Sequence, residues 1–188
     1  MLTLIEEFGK YAEITGFKNV KIKGVEDFLN RINKEKPANV EIQFFDAKLV
    51  ATWQHLYFAV LNALTAFNNK QGISKGLAME IMLYASAQRQ IRKATELIGI
   101  KPNSSNIAVL IVGENSETVK TALSTILKCI NGECDVAVLE LSKEKATIIQ
   151  KAFQISEAEL ETVMGTEGPE RALINLIIER VALLATQH

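Results

Sequence analysis

The chain has 188 residues, 48% hydrophobic and 23% charged, with a formal net charge of -1. That length suits one medium domain, able to bury about 70% of the surface its unfolded chain exposes, and the composition excludes disorder. The near-neutral charge and a pI near 6.2 exclude a surface that holds long duplex by counterion release, so any nucleic-acid contact must be local.

The opening MLTLIEEFGK is interrupted by Glu6 and Glu7, so a signal peptide is not expected. A strand is expected within KYAEITGFKNVKI. In GVEDFLNRINKE, the residues Val25, Phe28, Leu29 and Ile32 recur at i, i+3, i+4 and i+7, which predicts an amphipathic helix. The Lys36-Pro37 step stops it. VEIQFF alternates Val40, Ile42 and Phe44 against Glu41 and Gln43, as a half-buried strand does.

From Asp46 to about Asn68 the pattern predicts a long helix. Lys48, Thr52, His55 and Asn62 form one narrow polar stripe, so the rest of the helix is expected to be buried. Asn68-Asn69 and Gly72 break it. Ser74 fits the N-cap of a second long helix running from Lys75 to Ile98. Gly99 fits a left-handed cap just past its end, and Pro102 closes the region.

NIAVLIVG reads as a buried strand, SETVKTALSTILKCI as a helix, Asn131-Gly132 as a turn, DVAVLEL as a strand and SKEKATIIQKAF as a helix. A short helical piece begins near Ser156. The loop GTEGP then leads to a final helix with Pro169 at its first position. The expected fold is mixed α/β, as a single domain over residues 1–188. A small sheet packs with several helices, among them a long buried helix pair and an apolar C-terminal helix. No stretch reads as a membrane span.

Catalytic chemistry is sparse. LIVGENSET runs from a strand through a glycine into a helix, but it lacks the further glycines of a dinucleotide site and the Gly-Lys-Ser/Thr of a phosphate loop. Ser116 is expected to cap the helix there. His188 is terminal, leaving His55 as the one usable imidazole, and on a mostly buried helix it is expected as a satisfied, partly buried residue; no nucleophile and base are set beside each other. Catalysis by this chain alone is not expected. Cys129, Cys134 and the two histidines cannot build a structural zinc site without carboxylates, so neither metal nor cofactor is expected. The thiols fit a reducing cytoplasm.

The informative stretch is EIMLYASAQRQIRKA, Glu80 to Ala94. Helical periodicity puts Leu77, Tyr84, Ile91 and Ile98 on the core face, with Ser86, Arg89 and Lys93 opposite and Arg92 and Glu96 at the edge. Such a cluster is either a solvated face or a site for an anion. Glu80 falls in register with the apolar face. Its carboxylate must therefore reach solvent or find a backbone amide near the helix start, since burying it alone is costly. In the final helix, RALINLIIERVALLA, only Asn175, Glu179 and Arg180 are polar beyond the first turn. It is either buried all round or presents one face to a partner.

The helix pair also carries a likeness. KLVATWQHLYFAVLNAL followed by AMEIMLYASAQRQIRKATELIGI resembles the kinase-binding subunit of the KEOPS complex, the PRPK-binding protein family. The matching features are His55-Leu56, Glu80, Tyr84, Ser86, Arg89-Gln90-Ile91, Ala94 and Gly99-Ile100, and the archaeal-type members fit best. The family leads one to expect glycine where this chain has Ala87. The resemblance implies a non-catalytic regulatory subunit that binds the amino lobe of the complex's atypical kinase/ATPase. It implies a part in threonylcarbamoyladenosine modification of transfer RNA. In archaeal relatives it also implies recruitment of the transfer RNA by its single-stranded CCA end. Carried onto this sequence, Arg89, Arg92 and Lys93 are expected at phosphates, with Lys75 adding to them. Ser86 and Gln90 are expected at polar edges, and Ile73, with Ser74 beside it and the Gly72 turn, at the border of a base slot. The kinase-facing surface is expected on the apolar helices, at the edge of the long helix and on the final helix, with Ile174, Ile178 and Leu184 as examples. The competing reading is a protein-only adaptor or homodimer whose basic face meets acids on a partner.

Overall fold

The computed structural model describes residues 1–187, and His188 lies outside the described residues. The elements in chain order are β1 (Leu2–Ile5), β2 (Lys10–Lys18), α1 (Val25–Glu35), β3 (Val40–Asp46), α2 (Trp53–Asn68), α3 (Leu77–Ser86) and α4 (Ile91–Ile98). They continue with β4 (Ile107–Gly113), α5 (Ser116–Cys129), β5 (Glu133–Cys134), α6 (Lys143–Ala152), α7 (Glu157–Met164) and α8 (Pro169–Leu183). The fold class is mixed α/β, as expected. The chain forms two compact units: Met1–Ala47 with Ile100–Val138, and Lys48–Gly99 with the segment from Leu139 onward.

The first unit is built on an antiparallel sheet of order β1-β2-β4-β3, to which β5 adds a short pairing with β2. The continuous apolar run of β4 is explained by its central place, for every one of its residues is buried. Ile107, Val109 and Ile111 join Phe17, Phe44, Ile32, Val119 and Ile126 in one core, which α1 and α5 help to build. Gly113 has a packing reason. A Cβ there would lie 2.9 Å from the Val119 Cγ2, so the glycine permits close approach of α5.

Two expectations in this unit fail for local reasons. Asp46 continues strand β3 rather than opening a helix, and Ser104 Oγ donates to its carboxylate at 2.7 Å. A 3-10 turn over Ala47–Leu49 intervenes before α2. DVAVLEL is not a strand: Val136–Leu139 form a 3-10 turn. The Asp135 carboxylate accepts the Ala137 N–H at 3.0 Å, and this local bond turns the chain in place of a ladder.

In the second unit α2 packs against α3 and α8, α4 against α3, and α7 against α8. The single helix expected over Lys75–Ile98 is two, capped at its start by Gly76 and not Ser74. The break lies at Ala87, whose φ is +51°. The Gln88 N–H donates to the Leu83 carbonyl at 3.1 Å and the Ala87 N–H to Tyr84 at 2.9 Å. That pair of bonds is the Schellman ending, which usually places glycine where Ala87 stands. The break takes Ile91 out of the core stripe and leaves it 51% exposed, while Ile98 stays buried. Gly99 is extended at φ -68°, not left-handed. It is required by proximity, since a Cβ there would meet the Thr95 carbonyl oxygen at 2.5 Å.

Candidate functional site

Glu80 organises the segment between α2 and α3. It is fully buried, and its two carboxylate oxygens accept the Ile73 N–H at 2.9 Å and the Ser74 N–H at 2.7 Å. A carboxylate on two backbone donors is a strong arrangement and satisfies the charge that periodicity placed on the apolar face. The backbone-amide alternative is therefore the one realised, reaching back from α3 rather than capping it.

With the loop so held, Ile73 forms one wall of a cleft of about 250 Å³. Asn62, Thr65 and Ala66 of α2 form a second wall, Tyr84 of α3 a third, and Gln71, Arg89 and Ala185 complete it. Arg89 lies in the turn between α3 and α4. One of its guanidinium nitrogens donates to the Leu184 carbonyl at 3.3 Å, which leaves the remaining donors of the fork uncommitted.

Of the expected nucleic-acid contacts, the structure thus places Ile73 and Arg89 in one cleft. Ser74 is half-buried beside Ile73, its hydroxyl on the Gly76 carbonyl at 2.8 Å. Lys75, Gln90, Arg92 and Lys93 are exposed. Arg92 pairs with Glu96 at 2.8 Å, whereas Lys75 and Lys93 have no ion-pair partner among the described residues. Ser86 must be corrected. It is fully buried and donates to the Leu83 carbonyl at 3.0 Å, so it belongs to no exposed face. The helical projection that put it outward assumed that α3 had one solvated side.

His55 of α2, on the polar stripe but expected as a satisfied, partly buried residue, is fully buried. Its Nδ1 accepts the Ala51 N–H at 3.2 Å and its Nε2 pairs with the Ala85 carbonyl at 2.7 Å, fixing the Nε2–H tautomer. Burial, with a smaller push from Lys145, lowers its pKa to about 4 against the upward pull of the Ala85 carbonyl. With both nitrogens engaged it offers no free base. At its N-terminal end α2 exposes aromatic rings. Trp53 and Phe58 are exposed, and Tyr57 meets them edge-to-face with ring centroids at 6.0 and 6.1 Å.

The residues expected at a partner surface divide. Ile174 and Ile178 are half-buried on α8, but Leu184 is fully buried, and its place in the expected surface is corrected to the core. The sequence reading pointed to the edge of the long helix without naming its aromatics, and it missed the polar walls Asn62, Thr65, Gln71 and Tyr84. A signal was available for the former, because TWQHLYF gathers three rings within six residues, and Trp and Tyr are enriched at interfaces.

LIVGENSET serves structure, for Asn115 rather than Ser116 caps α5, its side chain accepting the Thr118 N–H at 2.9 Å. Among the described residues no group of three or more His, Cys, Asp or Glu is placed to hold a metal ion. Among them, too, no helix is long and apolar enough to cross a membrane.

The family model for the kinase binding protein CGI-121 matches residues 17–185. The chain belongs to this family. It is 36% identical over 126 residues to the regulatory protein Cgi121 of Methanocaldococcus jannaschii, an alignment covering 66% of this chain and 79% of that one. It is 28% identical over 111 residues to the EKC/KEOPS complex subunit CGI121 of Candida glabrata, covering 59% of this chain and 60% of the other. The matched span includes every wall of the cleft and the aromatic edge of α2. Ala87, where the family resemblance led one to expect glycine, adopts the left-handed backbone that glycine favours.

Proposed function

We propose that the chain is a non-catalytic regulatory subunit of a KEOPS-type assembly in the cytoplasm. It docks on the atypical kinase/ATPase subunit and recruits transfer RNA by the 3' CCA end. The observation that carries the RNA half is the cleft itself. It joins an aliphatic wall at Ile73 to the Arg89 guanidinium, with Lys75 on the same loop and Lys93 in the first turn of α4. A chain of net charge -1 has no broad cationic surface, so a few local cations beside a small slot suit a short unpaired terminus better than a duplex. The cleft is smaller than the roughly 300–1,000 Å³ typical of drug-sized ligands, which suits one ring system at a time.

The docking half rests on the family and on the aromatic edge of α2, where Trp53 and Phe58 are exposed and the half-buried Tyr57 packs against both. Large rings held in fixed orientation and left open to solvent are the usual anchors of protein interfaces. Ile174 and Ile178 of α8 remain part of this proposed surface. The aromatic edge serves equally well in a protein-only adaptor, so the RNA half needs its own test.

Anisotropy at fixed physiological salt compares intact transfer RNA with the same molecule lacking its CCA end. Binding lost on trimming supports recruitment through a single-stranded terminus. Equal binding moves the contact away from the CCA end, and absent binding leaves the protein-only adaptor.

A further inference from the structure

Among the described residues, Tyr84 is the buried polar side chain of the cleft that the fold leaves without an internal task, Gln71 beside it being exposed. It is 2% exposed and lies on the cleft wall, yet among the described residues its hydroxyl has no hydrogen-bond partner. Nor is that oxygen sealed inside the protein, for the one buried side-chain polar atom without a partner among the described residues is Thr52 Oγ1. The Tyr84 hydroxyl therefore opens on the cleft. A tyrosine buried to this degree normally finds a partner for its O–H. Here the partner's place is the cleft.

The neighbouring groups define the chemistry that fits. Asn62 donates to the Phe58 carbonyl at 2.8 Å and keeps its side-chain oxygen as an acceptor. Thr65 spends its proton on the Leu61 carbonyl at 2.9 Å. Arg89 keeps the donors not used on Leu184. The wall thus offers a neutral donor at Tyr84, a neutral acceptor at Asn62 and a cation at Arg89. A ligand that answers all three carries a flat edge with adjacent acceptor and donor groups, next to an anion. A nucleotide has that pattern.

We propose that the Tyr84 hydroxyl is the hydrogen-bond donor with which the cleft reads one unpaired nucleobase, Arg89 taking the adjoining phosphate. This rests on the recruitment reading and names a recognition residue within it. Burial and then the Glu80 carboxylate hold the phenol above its ordinary pKa, outweighing Arg89, so it stays protonated at neutral pH.

The test uses the full chain with a labelled CCA-ended oligonucleotide and with transfer RNA, over a salt series. Tyr84→Phe is expected to weaken binding about tenfold, as loss of a hydrogen bond to a desolvated edge does. It should leave the slope of log K against log salt unchanged, and the thermal midpoint unchanged or raised, because no internal bond is lost. Arg89→Gln should instead lower the slope by about one. Binding by Tyr84→Phe equal to wild type overturns the proposal while leaving recruitment intact. So does a loss of binding matched by a loss of thermal stability, which marks a structural hydroxyl. Failure of the wild-type chain itself to bind either RNA overturns the recruitment reading, and this proposal with it. Should Tyr84→Phe not fold, the Tyr84 ring-carbon NMR signal of the wild type decides. A shift on adding CCA trinucleotide supports the contact, and an unmoved signal at saturation overturns it.

Discussion

The Glu80 carboxylate accepts the Ser74 N–H at 2.7 Å across six residues, and with the companion bond from Ile73 it sets the wall of the cleft. Local structure and candidate function meet in this one side chain. Glu80→Gln keeps the shape but puts an amide NH2 against one of two backbone donors. It should lower stability by about 2–3 kcal/mol, the scale for leaving a charge-assisted buried bond unmade. Urea unfolding reads the loss, and hydrogen exchange should show faster opening at Ile73 and Ser74. Unchanged exchange there would mean that the loop is held by something else.

Three helices of the second unit end in the left-handed region without glycine: α2 at Lys70 (φ +56°), α3 at Ala87 (φ +51°) and α6 at Gln154 (φ +53°). Each carries the paired Schellman bonds. Ala87→Gly should stabilise the chain by about 0.5–1 kcal/mol, relief of the Cβ penalty outweighing the added freedom of the unfolded chain. A lower urea midpoint in that variant would show that the strain is not there.

His55 links stability to pH with a definite sign. Its folded pKa of about 4 lies below the ordinary value of 6.5, so between these limits the unfolded chain binds the extra proton. Stability from this group is complete above pH 6.5 and is lost as pH falls toward 4. The total is about 3 kcal/mol, at roughly 1.4 kcal/mol per unit. His55→Gln should be less stable at pH 7 yet show a shallower fall over that window. Parallel pH profiles for the two proteins would contradict this assignment.

The proposed docking surface is tested at the α2 rings, with folding checked alongside binding. Trp53 is 36% exposed and Phe58 38%, so most of each ring is still packed, and replacing either by alanine should lower the thermal midpoint by a few degrees while leaving the chain folded. Affinity for the kinase subunit should drop by about 2 kcal/mol or more if these rings anchor the interface. Titration calorimetry with the kinase subunit reads this directly, and full affinity in the double variant would move the interface elsewhere.

Periodicity and strand patterning made much of the fold legible. Val25, Phe28, Leu29 and Ile32 placed α1 at its observed start, and NIAVLIVG announced the buried central strand. What stayed hidden depends on local bonds that no pattern records. Ala87 breaks a helix without the glycine that would have marked it, and that break carried Ile91 outward. His55 was legible as a partly buried residue, but its full burial rests on two backbone groups within reach of its ring that no pattern records. Arg89 and Ile73 were readable as a basic group and an aliphatic border. Tyr84 was read as core, since nothing in a sequence tells a satisfied phenol from one left open to a cleft.

The central claim is that an unpaired RNA terminus enters the cleft between Ile73, Tyr84 and Arg89. Hydrogen exchange of the full chain, with and without a CCA-ended oligonucleotide at fixed salt, tests it most directly. Slowed exchange is expected in the Gln71–Lys75 loop and the Ala87–Lys93 turn alone, with the Trp53–Phe58 segment unchanged. Saturating RNA that leaves both of those segments unprotected would contradict it.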